Sequence, residues 1–151
     1  MEIRLNGTIG KGIRWATDNW LRMKKAHSPL LDEFHPGTLN IHLPEEWEPP
    51  NDQQYFEQAR ANGAMRRSCG FTYDDGVDFV ECGNYVHPTI RVVSIAGLLI
   101  NGLVYYPGAP LAQASKPMRM RIEVLAKTGI RKALGIGDKD LPVLAVLEMS
   151  D

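Results

Sequence analysis

Residues 90–106 read IRVVSIAGLLINGLVYY. Apolar residues crowd both sides of Asn101-Gly102. Asn-Gly between hydrophobic runs is the strongest short-range signal for a two-residue β-hairpin. Strands are therefore predicted over 90–100 and 103–106, joined at Asn101-Gly102. Working outward, residues 120–126 (MRIEVLA) alternate about Glu123, and residues 142–149 form a last, nearly all-apolar strand. Upstream, Ile3, Leu5 and Ile9 face one way while Arg4 and Asn6 face the other, which is strand spacing. A His35-Pro36-Gly37 turn signal delivers a further alternating run, Thr38 to Leu43. Phe71 to Val80 reads as another hairpin about Asp74-Asp75-Gly76.

Helical signals are short. Thr17-Asp18-Asn19 can cap a helix that turns Trp20, Leu21 and Met23 inward and Arg22, Lys24 and Lys25 outward. Residues 53–61 are amphipathic, with Tyr55, Phe56 and Ala59 on one side. A last helix is predicted from Gly129 to Leu134, capped by Thr128 and stopped by Gly135. Six or seven strands and two or three short helices make a mainly β chain. The expected architecture is a small β-barrel with helical insertions, one domain over 1–151, with a helix and hairpin inserted at about 45–87.

Composition agrees. The 151 residues hold 17 Lys+Arg against 18 Asp+Glu, 44% hydrophobic and 23% charged residues. One ordinary globular domain fits this length. Gly (14) and Pro (10) exceed their usual combined share of about 12%, as a turn-rich β fold requires. A formal net charge of −1 argues against a generally basic nucleic-acid binder. No apolar run reaches the ~20 residues of a membrane span. Glu2, Arg4 and Asn6 interrupt any leader-like start. The two cysteines, Cys69 and Cys82, form no CxxC and are expected to be reduced thiols of a cytoplasmic protein.

Familiar catalytic motifs are missing. Gly7 to Gly12 (GTIGKG) lacks the Walker spacing, and Gly12 stands where Ser or Thr would follow the lysine. No GxGxxG, HExxH or GxSxG occurs, and the four histidines have no zinc spacing with cysteine. Three weaker features remain. A glycine-rich turn with Lys11 at the end of a strand suits an anion, because backbone N–H groups approach closely where no Cβ intervenes. Thr38, Asn40 and His42 share one strand face, opposite Leu39, Ile41 and Leu43. Thr38 and Asn40 offer neutral oxygens to a hard cation that brings phosphate oxygens with it. Glu123 lies opposite Ile122 and Val124, where a carboxylate can accept a ligand hydroxyl or imide N–H.

In order, GTIGKG (7–12), PGTLNIHL (36–43), RVVSIAGLLINGLVYYP (91–107) and RIEVLAKTGIRKALGIGDKDLPVLAV (121–146) resemble the archaeal-type CTP-dependent riboflavin kinases. The likeness covers about the first 45 and last 60 residues; its most specific words are GTLN and IEVLA with the following IR and GD. It implies a six-stranded cradle-loop barrel that phosphorylates riboflavin to FMN with CTP and Mg²⁺. It implies that Thr38 and Asn40 bind Mg²⁺, and that Gly10, Lys11 and Gly12 with Lys127, Thr128, Gly129 and Ile130 meet the cytidine nucleotide. It implies that Ser115 and Glu123 contact the flavin. The glycine-rich turn is about two residues shorter than the family pattern, and Lys127-Thr128-Gly129 replaces a commoner Pro and hydrophobic residue, so the donor's base is left open. A DNA-binding regulator of the related swapped-hairpin barrels, or a non-catalytic flavin or nucleotide module, is the alternative. The expected partners are riboflavin or FMN and a nucleotide, with no membrane, for a monomer or small homo-oligomer.

Overall fold

A computed structural model of the chain describes residues 1–11, 15–18, 20–26, 29–47, 85–106 and 120–149. Among them six strands close into a barrel: β1 (Glu2–Gly10), β2 (Leu39–His42), β3 (Tyr85–Ile95), β4 (Leu98–Tyr106), β5 (Arg121–Leu125) and β6 (Leu141–Met149). Going round the barrel the order is β1-β2-β5-β4-β3-β6, and every pair is antiparallel. Closure leaves no strand edge open. Three short helical segments join them: α1 (Trp15–Asp18), α2 (Trp20–Ala26) and α3 (Ile130–Leu134). No helix among the described residues is long and apolar enough to cross a membrane. The helix predicted over 53–61, the hairpin over 71–80 and both cysteines lie outside the described residues.

Alternation decides which side chains fill the barrel. Ile9, Ile41, Ile122, Val104, Val92 and Leu147, one from each strand, are at most 2% exposed and belong to one apolar cluster. Residues of the opposite parity face out, and part of that outer wall is covered. Leu103, Tyr105 and Leu125 form a second cluster with Trp20, Met23, Leu31 and Phe34. Thus α2 and the turns after it pack on the outside of β4 and β5. The covering segment is tied down where the His35 amide donates to the Ala126 carbonyl at 2.8 Å.

Several expectations are corrected. The β3–β4 hairpin turns at Ala96-Gly97, not at Asn101-Gly102. Both turn residues have positive φ, 52° and 80°, as the two-residue turn that matches strand twist requires. A turn at 101–102 would leave only four residues to pair with a long first strand. The observed turn pairs strands of eleven and nine residues. Gly102 is instead a strand glycine at a close approach: a Cβ there would lie 3.0 Å from the Leu125 carbonyl oxygen. Exposed Asn101 accepts a 2.7 Å bond from Arg91. Gly7 and Gly10 are likewise strand residues, so residues 7–10 of the glycine-rich segment belong to β1 rather than to a turn. Leu21, expected inside, is 82% exposed, while Met23 is fully buried. The α3 N-cap is Gly129 rather than Thr128, and Gly135, left-handed at φ 68°, stops the helix as predicted. A register shift at Val93 in β3 supplies a bulge that bends the barrel wall.

Candidate functional site

The register brings the sequence candidates together. Gly10 on β1 pairs with Asn40 on β2, Asn40 with Glu123 on β5, and Glu123 with Tyr105 on β4. Directly paired residues project to the same face, so these four make a row across the outer wall. A neighbouring row is Thr8, His42 and Arg121. Thr38, just ahead of β2, reaches diagonally to Glu123: its hydroxyl donates to the carboxylate at 2.8 Å.

These polar groups are not a solvated face. Asn40 and Glu123 are the two buried polar residues among those described, at 9% and 8% exposure. Burial pushes the Glu123 carboxyl above its ordinary pKa, while Arg121 and the Thr38 hydrogen bond pull it down less strongly. The Arg121 guanidinium is 3.9 Å from Oε2, too far to donate a good hydrogen bond, so its help is mainly Coulombic. Asn40 Oδ1 is buried with no hydrogen-bond partner among the described residues. Leaving such an acceptor unmet costs about 1–3 kcal/mol, so its retention calls for a ligand or another use.

The end of β1 is also held in detail. A Cβ on Gly10 would come within 2.5 Å of His42 Cδ2 and 2.8 Å of Nε2, so only glycine lets the imidazole cross the strand there. Nε2 lies 3.1 Å from the Lys11 carbonyl, which can only accept, so that nitrogen carries the proton. From the other side Arg131 donates to the Gly10 carbonyl at 3.0 Å. Gly37 has φ 97°, and the Thr17 side chain occupies the space a Cβ would take. This seats α1 against the turn that presents Thr38.

Of the residues singled out in the sequence, Thr38, Asn40 and Glu123 form one cluster, with Gly10 in the same row and exposed Lys11 beyond it. Lys127 and Thr128 are exposed, and the Lys127 ammonium is 3.8 Å from Glu33 and 5.9 Å from the centre of the Phe34 ring. Gly129 packs beside the His35 ring. Ile130 is a core residue, so only its backbone is open to a ligand. Gly12 and Ser115 lie outside the described residues. Arg121 and Arg131 were missed by sequence reasoning. Arg121 could have been found, since it stands two residues before Glu123 and so shares its face. Arg131 stands in the IR word of the resemblance, but its contact with Gly10 spans 121 positions and has no local signature.

The donor set is one of neutral oxygens around a single carboxyl group. Among the described residues no three of His, Cys, Asp and Glu come together, so nothing here makes a nitrogen- or sulfur-rich metal centre. Thr38 gives its proton to Glu123, which leaves its oxygen lone pairs free. Asn40 offers a bare carbonyl oxygen. Both suit a hard cation that keeps other ligands of its own. No protein-family model and no curated protein matches the chain.

Proposed function

We propose that the protein is a cytoplasmic riboflavin kinase, moving the γ-phosphate of CTP to the ribityl 5′-hydroxyl of riboflavin to give FMN and CDP. One observation carries the reading. Thr38, Asn40 and Glu123, which strand alternation and the family resemblance both single out, converge on one covered patch, with the Asn40 carbonyl oxygen buried and unmet among the described residues.

Thr38 and Asn40 would hold Mg²⁺, which when bound supplies charge neutralisation on the phosphates. The chain's residues do the rest by alignment. Gly10 lies across β1–β2 from Asn40. Backbone N–H groups at that strand end and the Lys11 ammonium serve the phosphate oxygens. The Glu123 carboxyl orients the flavin ligand through its hydroxyl or imide N–H, and Ser115 and residues 127–130 complete the ligand contacts that the resemblance implies. The 5′-oxygen forms the new bond to γ-phosphorus as the bond to the bridging β-oxygen breaks. The hydroxyl proton is lost to solvent. A loose transition state needs no strong base, so Glu123 is a positioning group. Incubation with riboflavin, Mg²⁺ and either CTP or ATP, followed by chromatography, tests this. FMN is expected with CTP, and no FMN with either nucleotide contradicts it.

A further inference from the structure

Arg131 joins three backbone points on two segments far apart in sequence, the turn after its own helix and the end of β1. Its Nη1 donates to the carbonyls of Gly137 at 3.0 Å and Lys139 at 2.8 Å. Its Nη2 donates to the Gly10 carbonyl at 3.0 Å. Guanidinium is planar, permanently charged and carries its donors in a fixed fork, so it fixes these points relative to one another. With both terminal nitrogens on backbone carbonyls, Arg131 is spent on holding the chain. Nor is it needed to end its own helix: the Ile136 amide donates to the Arg131 carbonyl and the Gly135 amide to the Lys132 carbonyl, both at 3.1 Å.

The consequence falls on the strand end. His42 holds the Lys11 carbonyl at 3.1 Å, so two successive carbonyls, of Gly10 and Lys11, are gripped by different side chains. A trans peptide points its N–H opposite to its C=O. The bond from Arg131 therefore turns the Lys11 N–H away from α3 and fixes its direction. Gly10 is the last residue of β1, paired with Asn40, so the Arg131 bond holds the chain at the point where the ladder ends.

We propose that Arg131 is a positioning residue for nucleotide binding, acting through the Gly10–Lys11 peptide, whose N–H and neighbouring ammonium it aims at the phosphates. This rests on the kinase reading above. It goes further in dividing the two ligands: loss of Arg131 loosens the phosphate-facing strand end but leaves the Thr38–Glu123 contact, which lies on other strands, in place.

The test uses the full chain as wild type, Arg131→Gln and Arg131→Lys. Each is titrated with Mg-CTP by calorimetry and with riboflavin by fluorescence quenching, and its melting temperature is recorded. Arg131→Gln is expected to weaken CTP by about tenfold or more, the worth of a charge-assisted bond, with riboflavin affinity unchanged. Arg131→Lys is expected to recover part of the CTP affinity, because an ammonium keeps the charge without the fork. If Arg131→Gln does not fold, the lysine variant carries the comparison alone. Unchanged CTP affinity in a variant of an enzyme whose wild type makes FMN overturns the positioning role and leaves the kinase reading standing. Equal weakening of both ligands with a fallen melting temperature makes Arg131 a structural tie only and also overturns it. A wild type that binds no CTP and makes no FMN removes the kinase reading, and the proposal with it.

Discussion

Replacing Glu123 by Gln keeps the side chain's shape and an acceptor for Thr38 but removes the ionisable group. Its effect on stability should depend on pH with a definite sign. Burial raises the folded-state pKa above the ordinary 4.5, and Arg121 at 3.9 Å and Thr38 at 2.8 Å only partly offset this. Below pH 4.5 the carboxyl is protonated in both folded and unfolded chains, and that contribution is fully present. Between the unfolded and folded values the unfolded chain has released its proton while the folded one keeps it. Stability then falls by up to about 1.4 kcal/mol per pH unit. Above the folded pKa the loss is complete and the curve is flat. The assay is urea unfolding of wild type and Glu123→Gln in metal-free buffer from pH 4 to 8. The stability of the wild type relative to the variant should decline as pH rises from about 4.5 and then level off. A relative stability that rises with pH would mean that Arg121 and Thr38 outweigh burial, refuting the account of this site.

Other substitutions probe the same geometry. Asn40→Ala should lower kcat about 10–100-fold while leaving riboflavin affinity nearly intact, measured by FMN formation and flavin quenching; small, equal effects on both would remove its metal role. Gly10→Ala should cost about 1–3 kcal/mol in urea unfolding, because the new Cβ collides with the His42 ring, and His42→Ala in the same chain should restore most of the loss. Ala96→Asn should raise stability by about 0.5–1 kcal/mol, since it supplies Asn-Gly where the hairpin actually turns; a loss would argue against the 96–97 turn. Arg131→Gln, as above, should separate CTP binding from riboflavin binding.

The sequence makes the barrel legible through strand alternation. Leu39, Ile41 and Leu43 face the core and Thr38, Asn40 and His42 face away, as their spacing dictates. Local signals failed where long-range contacts won. Asn101-Gly102 is the better turn by dipeptide preference, yet Gly102 is needed against Leu125 and the chain turns at Ala96 despite its positive φ. Alternation placed Glu123 opposite Ile122 and Val124 correctly. It could not tell that the outer face of β5 is covered by Met23, Leu31 and Phe34, because that cover comes from a segment about a hundred positions away. That cover packs on Tyr105, which is paired with Glu123, and on Leu125, two residues beyond Glu123 on the same strand. The grip of Arg131 on Gly10 was illegible for the same reason.

The central claim is that the Thr38–Asn40–Glu123 patch serves phosphoryl transfer to a flavin. The most direct measurement is FMN formation from riboflavin and Mg-CTP by the wild type and Asn40→Ala, side by side. The account predicts FMN from the wild type and a strong loss of turnover in the variant while riboflavin still binds. A wild type that makes no FMN with CTP or ATP, or an Asn40→Ala protein that turns over as fast as wild type, would contradict it.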